Sequence, residues 1–346
     1  MKKLISVLLL AVLCFSMGTL TEKADVCAAG KPAHYWGAGS YERFGQDAVP
    51  AKASITAGED EYYITITSYD YKDDSDKYIE IPMKSTYQLK WETNAPSDAV
   101  SFSSDSPDIV SVSSKGKITA KMVDYDSSTV SATVQKPEGG TAEDFLYVYT
   151  DFIDVCDPNA FFYDPVYWAL DYGITSGFTD SHGNLTGYFK PNTTCTRGQI
   201  ATFMYRYFRQ YFTVDISEIP DFSDVKKGSY YYEAVRWAVA AGITTGYTDK
   251  NGKPTGKFGP DDSCTRAQVV TFIYRMLSDV WPADTSDVAD FSDVKKDTYY
   301  YDAVRWAVAH EITTGYSDSS GNPSGKFGPN DKCTRGQVVT FLYRTW

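Results

Sequence analysis

The chain has 346 residues, 42% of them hydrophobic and 15% aromatic, and a net charge of −12 at neutral pH. That length suits several domains with real cores, and the acidic balance excludes the broad basic face that nucleic acid selects. Residues 152–346 carry 19 Lys and Arg against 23 Asp and Glu, so an anionic partner of that half has to be captured locally.

The chain starts with Lys2-Lys3, an apolar run from Leu4 to Leu20 and the small-residue sequence Val26-Cys27-Ala28-Ala29. This order predicts a secretory signal over residues 1–28, cut near Ala28 or Ala29. The alternative is an uncleaved anchor helix, for which the run is short against a span of ~20 residues. Leu13 before Cys14 and Val26 before Cys27 are poor residues for a lipidation site. No later segment is apolar enough to cross a membrane, so the expectation is an exported protein attached to the cell through a folded surface. Residues 29–50 are rich in Gly, Ala and aromatics without a period and read as an irregular leader.

Residues 51–135 have a β pattern. Tyr63–Thr67, Tyr87–Trp91, Val110–Ser113, Ile118–Ala120 and Val130–Val134 alternate or run apolar in short stretches between turns, which predicts a small β-sandwich. The stretch from Leu89 to Val134, with Ser103-Ser104-Asp105-Ser106-Pro107-Asp108-Ile109-Val110 followed by Gly116-Lys117-Ile118-Thr119-Ala120-Lys121, resembles the bacterial immunoglobulin-like domain of group 2. It departs from that family at Val123–Asp126, where a Gly-containing turn is usual. The resemblance implies a spacer or a face for an unknown ligand. Residues 136–150, with Pro137, Gly139 and Gly140, read as a linker.

The remainder is one unit written three times, over 151–210, 220–278 and 289–346. Trp168, Trp237 and Trp306 are 69 residues apart, as are Cys195, Cys264 and Cys333. Segments 221–276 and 290–345 agree at roughly three-quarters of positions, and the first copy diverges more. A repeat of this length is a supersecondary unit reused, which favours an array of binding surfaces over a single catalytic centre. In the second copy Ala234, Val235, Trp237, Ala238 and Ala241 fall at helical spacing and Gly242 supplies a stop. A turn-rich section follows to Pro260, with Asn251-Gly252 as its tight turn, and a second helix starts at Thr265. Three equivalent cysteines leave an odd one for pairing, so they are expected as small buried hydrophobes, with Cys156 the exception. His34, His182 and His310 are isolated, and no metal or cofactor site is expected.

Thr265-Arg266-Ala267-Gln268 has the form of a capping box, as do Thr196 with Gln199 and Thr334 with Gln337. The box explains Thr and Gln but not the arginine at the first helical position, Arg197, Arg266 and Arg335. Beside free helix N-terminal amides such an arginine makes a site for a carboxylate or phosphate; the alternative is a plain surface arginine.

The units resemble surface-layer homology domains. The resemblance rests on Phe222-Ser223-Asp224-Val225, Ala234-Val235-Arg236-Trp237-Ala238, Gly242-Ile243-Thr244-Thr245-Gly246, and Phe258-Gly259-Pro260 ahead of the capping box. It implies a multidomain protein: an all-β immunoglobulin-like sandwich, then a mainly α-helical three-repeat array, a three-prong spindle with a central helix bundle and grooves between the prongs. It implies a partner, a secondary cell-wall polysaccharide attached to peptidoglycan and ending in a pyruvylated sugar. It implies groove residues too: Arg197, Arg266 and Arg335, with Asp154, Asp224 and Asp293 accepting from sugar hydroxyls. Trp168, Trp237, Trp306, Gly177, Gly246 and Gly315 would shape the walls, against the plainer readings of core tryptophan and turn glycine.

Departures from the family pattern are Gln199, Gln268 and Gln337 for the usual Glu, Glu311 for a Gly, and Tyr167 where the later copies have Arg236 and Arg305. The first repeat's groove is therefore expected to be the weakest. The function these features imply is a non-catalytic cell-surface protein held non-covalently on the wall. The alternatives are an adhesin whose β domain binds a ligand, and a wall-anchored hydrolase, for which the chain shows no nucleophile elbow and no room for a catalytic domain.

Overall fold

The computed structural model describes residues 62–73 and 76–346. The expected signal and leader segments lie outside the described residues, as does the start of the β region.

Among the described residues ten strands precede the first α-helix. Strands β1 (Ile64–Ile66) and β5 (Trp91–Thr93) form a pair, and β4 (Thr86–Gln88), β8 (Lys117–Ala120) and β7 (Val110–Val112) form a three-stranded sheet in the order β4-β8-β7. The largest sheet has the order β2-β3-β10-β9-β6, from β2 (Tyr71–Asp73), β3 (Asp76–Pro82), β6 (Val100–Ser104), β9 (Asp124–Gln135) and β10 (Thr141–Asp151). All pairings are antiparallel except β3 with β10. Alternate residues of all three sheets meet in one core: Ile64 and Ile66, Ile79 and Ile81, Ile118 and Ala120, Val130, Ala132 and Val134, Leu146 and Val148. The period of two in the sequence is this burial pattern. The run Tyr87–Trp91 is not one strand; buried Leu89 separates β4 from β5, which belong to different sheets.

The expected linker over 136–150 is corrected. Pro137, Gly139 and Gly140 occupy only the turn between β9 and β10, with Lys136 and Gly140 hydrogen-bonded across it, and residues from Thr141 onward form the central strand of the large sheet. The β region therefore runs directly into the first repeat through Asp151-Phe152. Met83 and Val123 of the β region enter the same core as Phe152, Tyr167 and Trp168.

Each repeat contributes two helices, α1 (Tyr163–Asp171) and α2 (Arg197–Phe208), α3 (Tyr232–Ala240) and α4 (Arg266–Leu277), α5 (Tyr301–Ala309) and α6 (Arg335–Tyr343). Their packing is cyclic. The second helix of one repeat packs on the first helix of the next, α2 on α3 and α4 on α5, and α6 returns to pack on α1. At the centre a ring of backbone hydrogen bonds closes through the cysteines: Cys195 N–H donates to the carbonyl of Cys333, Cys333 N–H to Cys264, and Cys264 N–H to Cys195, at 2.8–3.1 Å. The three thiols are fully buried and unbridged. Within each repeat, Arg206, Arg275 and Arg344 donate to the carbonyls of Ile174, Ile243 and Ile312, which ties the second helix to the chain leaving the first.

Candidate binding grooves between the repeats

The capping boxes start α2, α4 and α6. Thr196, Thr265 and Thr334 accept from the backbone of Gln199, Gln268 and Gln337, whose side chains accept from the threonine N–H in return. The two preceding amides are occupied as well, by the neighbouring repeat. Arg197 N–H donates to the Asp262 carbonyl and Gly198 N–H to Pro260; Arg266 and Ala267 use Asp331 and Pro329, and Arg335 and Gly336 use Thr193 and Pro191. The expectation of free helix amides awaiting an anion is thus overturned. Cyclic packing brings a loop carbonyl to each of them.

The arginines are not on the open surface either. Arg197, Arg266 and Arg335 are only 3–4% exposed. Each donates through Nε to a carbonyl of the next repeat, at Phe258, Phe327 and Phe189 respectively, 2.9 Å in every case. Each guanidinium also lies against three rings. Arg197 is 4.6 Å from the Tyr247 ring centroid, 4.8 Å from Phe258 and 5.4 Å from Phe272. Arg266 meets Tyr316, Phe327 and Phe341 in the same way, and Arg335 meets Phe178, Phe189 and Phe203. Nε is the only donor of these side chains with a hydrogen-bond partner among the described residues, and their terminal nitrogens are not sealed from solvent. Burial pushes the Arg335 guanidinium below the usual arginine value. Each junction between repeats therefore holds a nearly buried, aromatic-walled cation fixed at Nε.

The aspartates hold this arrangement rather than face it. Both oxygens of Asp224 accept backbone N–H groups, from Phe258 and Gly259 at 2.9 Å; Asp293 accepts from Phe327 and Gly328, and Asp154 from Phe189 and Lys190. The carboxylate so orients the segment whose phenylalanine carbonyl receives the arginine of the preceding repeat. Each of these carboxylates thus clamps its own loop through both oxygens.

The tryptophans are core, as their plainer reading had it. Trp168, Trp237 and Trp306 are buried among the packed helices, and Trp237 and Trp306 donate from the indole to the carbonyls of Phe212 and Trp281. The helix face that carries them closes the ring against the preceding second helix. Gly246 has a left-handed φ of 79° and a Cβ there would stand 2.4 Å from the Phe222 ring and 2.6 Å from the Lys257 carbonyl oxygen. Gly177 and Gly315 are in the same position against Phe152 and Phe291. These glycines admit a ring beneath the loop.

Sequence reasoning missed the residues that do form the walls. Tyr247 lies in the turn-rich section of the second repeat and Tyr316 at the same place in the third, and their hydroxyls donate to Asp262 and Asp331 at 2.9 and 3.0 Å. Exposed Phe161, Tyr230 and Tyr299 stand one per repeat just before the first helix. Tyr231, which stacks edge-on with Tyr230, lies over Gly198 beside Arg197, and Phe162, which stacks with Phe161, lies over Gly336 beside Arg335. Each is an aromatic kept at the 69-residue period, which was the available signal. The divergence of the first repeat is also relocated. Its loop walls the groove of Arg335, not that of Arg197.

The fold and its grooves define a class: a cyclic array of three helix–loop–helix units that repeats one cation-bearing groove at each junction. Residues 158–201, 221–270 and 290–339 match the S-layer homology domain, and the chain carries three of these domains. It is 35% identical over 127 residues to a cell surface protein of Thermoanaerobacter kivui, covering 36% of this chain and 15% of that one. It is 27% identical over 176 residues to the surface-layer 125 kDa protein of Lysinibacillus sphaericus, covering 51% and 13%. An amylopullulanase of Thermoanaerobacterium thermosulfurigenes is 29% identical over 173 residues, covering 49% and 8%. The chain thus spans less than a sixth of the length of these relatives. This match and these likenesses place the chain among the proteins of the bacterial cell surface.

Proposed function

We propose that the chain is a non-catalytic surface protein held on the wall by its three grooves, which bind a pyruvylated secondary cell-wall polysaccharide, and that its β region is an immunoglobulin-like spacer. The observation that carries this reading is the fork of Arg197, Arg266 and Arg335, fixed at Nε, walled by rings and otherwise without a hydrogen-bond partner among the described residues. A pyruvyl carboxylate matches that fork. The exposed rings of Phe161, Tyr230 and Tyr299 supply flat apolar faces for the C–H face of a sugar.

One charged hydrogen bond contributes roughly 1.5–3 kcal/mol, so a single groove binds weakly. Three grooves on one rigid body facing a repetitive polymer gain ~10²–10⁴ in avidity where they engage together. The test is sedimentation of the full chain with purified cell walls before and after the secondary polymer is extracted. Binding is expected to the first preparation and not the second. Equal binding to both overturns the reading, and release of sugars or peptides from the wall by the chain alone overturns its non-catalytic character.

A further inference from the structure

The first repeat departs from the others on the face where its chain enters, and the β region fills that face. In the second repeat Tyr232 and Arg236 of α3 donate to Asp221 at 2.6 and 3.3 Å, and Lys227 pairs with the same carboxylate at 3.1 Å. Arg236 also donates to the Ile216 carbonyl, 2.6 Å away, which ties α3 to the segment arriving from the repeat before. Tyr301, Arg305, Asp290, Lys296 and the Thr285 carbonyl repeat the arrangement in the third. In both copies the aspartate is exposed and the arginine half-buried, so the cluster is a hydrated one.

The first repeat keeps the aspartate and the tyrosine as Asp151 and Tyr163 but has Tyr167 for the arginine. The chain that arrives there is a strand. Leu146 stands five residues before Asp151, as Ile216 stands five before Asp221, and it belongs to β10, paired with Val130 of β9. The Tyr167 hydroxyl lies 3.2 Å from Oδ1 of Asp151 and 3.1 Å from the Val155 carbonyl, both acceptors. Asp151, Tyr163 and Tyr167 are all buried. Met83 and Val123 of the β region pack into one core with Phe152, Val155, Tyr163 and Tyr167, and neither belongs to the core between the sheets. The loop of the first repeat meets them too. A Cβ on Gly187 would stand 3.2 Å from the Met83 Cβ and 2.9 Å from the Ile153 side chain, whereas Gly256 and Gly325, at the same place in the other repeats, have nothing within 4 Å. Two domains joined in a chain move relative to one another unless their contact is apolar and close. Here a charged cluster has given way to buried rings at the one repeat that meets the β region.

We propose that the entry face of the first repeat is an interaction surface for the β region and holds it at one fixed angle to the three-repeat array. The β region is then a rigid extension of the array and not a hinged spacer. This goes beyond the spacer reading above and does not depend on what the grooves bind.

Residual dipolar couplings of the full chain test it. One alignment tensor is expected to fit the amides of β3, β9 and β10 together with those of α1 to α6. Met83→Lys puts an ammonium into the seat and leaves the core between the sheets intact. It is expected to lose the common tensor while each part keeps one of its own. Gly187→Asn and Gly256→Asn form a second pair, since asparagine tolerates the left-handed backbone that both glycines have, with φ of 82° and 71°, and only the first meets Met83. Gly187→Asn is expected to lose the common tensor and Gly256→Asn to keep it. Two tensors in the unaltered chain overturn the proposal. So does a single tensor retained by both Met83→Lys and Gly187→Asn, or its loss in Gly256→Asn.

Discussion

Glu311 is one of three non-glycine residues with a left-handed backbone among the described residues, with Lys84 and Lys190. It follows α5 with a φ of 58°, in the position that Gly173 and Gly242 occupy after α1 and α3 at 63° and 76°. In all three the N–H closes the helix end by donating three residues back. Nothing lies within 4 Å of a Cβ built on Gly173 or Gly242, so the conflict at Glu311 is with its own backbone. Glu311→Gly is expected to stabilise the protein by about 1 kcal/mol, measured as a raised urea midpoint with an unchanged slope. The cysteines make the opposite case, residues that fit too well to react. Burial pushes the Cys264 thiol up to about 12, and Cys195 and Cys333 are raised for the same reason. Iodoacetamide on the native protein, read by peptide mass mapping, should therefore alkylate exposed Cys156 and spare these three until denaturant is added. Reaction of any of the three before unfolding would contradict the central ring.

Between residue and fold stands the element that builds a groove: an aspartate clamp, the loop it orients and the arginine that docks on that loop. Removing the clamp leaves the Phe258 and Gly259 amides unpaired at a half-buried site, so Asp224→Ala is expected to cost about 1–3 kcal/mol. It should also weaken wall binding through Arg197, whose carbonyl partner Phe258 lies on the loop that Asp224 holds. Asp224→Asn retains one oxygen and should fall between, a ranking that sedimentation with cell walls and urea unfolding can both check. The capping boxes of this element were legible in the sequence because Thr265 and Gln268 are three residues apart and satisfy each other locally. The groove was not, because Arg197 finds its carbonyl 61 residues away and Arg335 finds its own 146 residues away. Local pattern likewise misjudged residues 141–151. Their Tyr, Thr and Asp content hid an alternation that matters only once β9 and β3 flank the strand.

At the scale of the molecule the decisive feature is closure. An open repeat array leaves its terminal units half-covered and can unfold from an end. Here α6 covers α1, and the cysteine ring links all three repeats through backbone hydrogen bonds. The β region shares the same fate, since β10 leads into Phe152 and Met83 packs into the helical core. The ends that would fray in an open array are therefore each other's partners, and the helical core is one cooperative unit. Leu342 on α6 is fully buried, so Leu342→Ala is expected to cost about 2–5 kcal/mol. In a closed ring that loss cannot stay in the third repeat. The whole tryptophan fluorescence transition in urea should shift to a lower midpoint without splitting, although Trp168 and Trp237 belong to other repeats. A separate early transition confined to the third repeat, with the signal of the first two unchanged, would mean that the array is open and that its grooves form one junction at a time. A closed array presents all three grooves or none, so the same variant should lose wall binding at the urea concentration where the fluorescence changes.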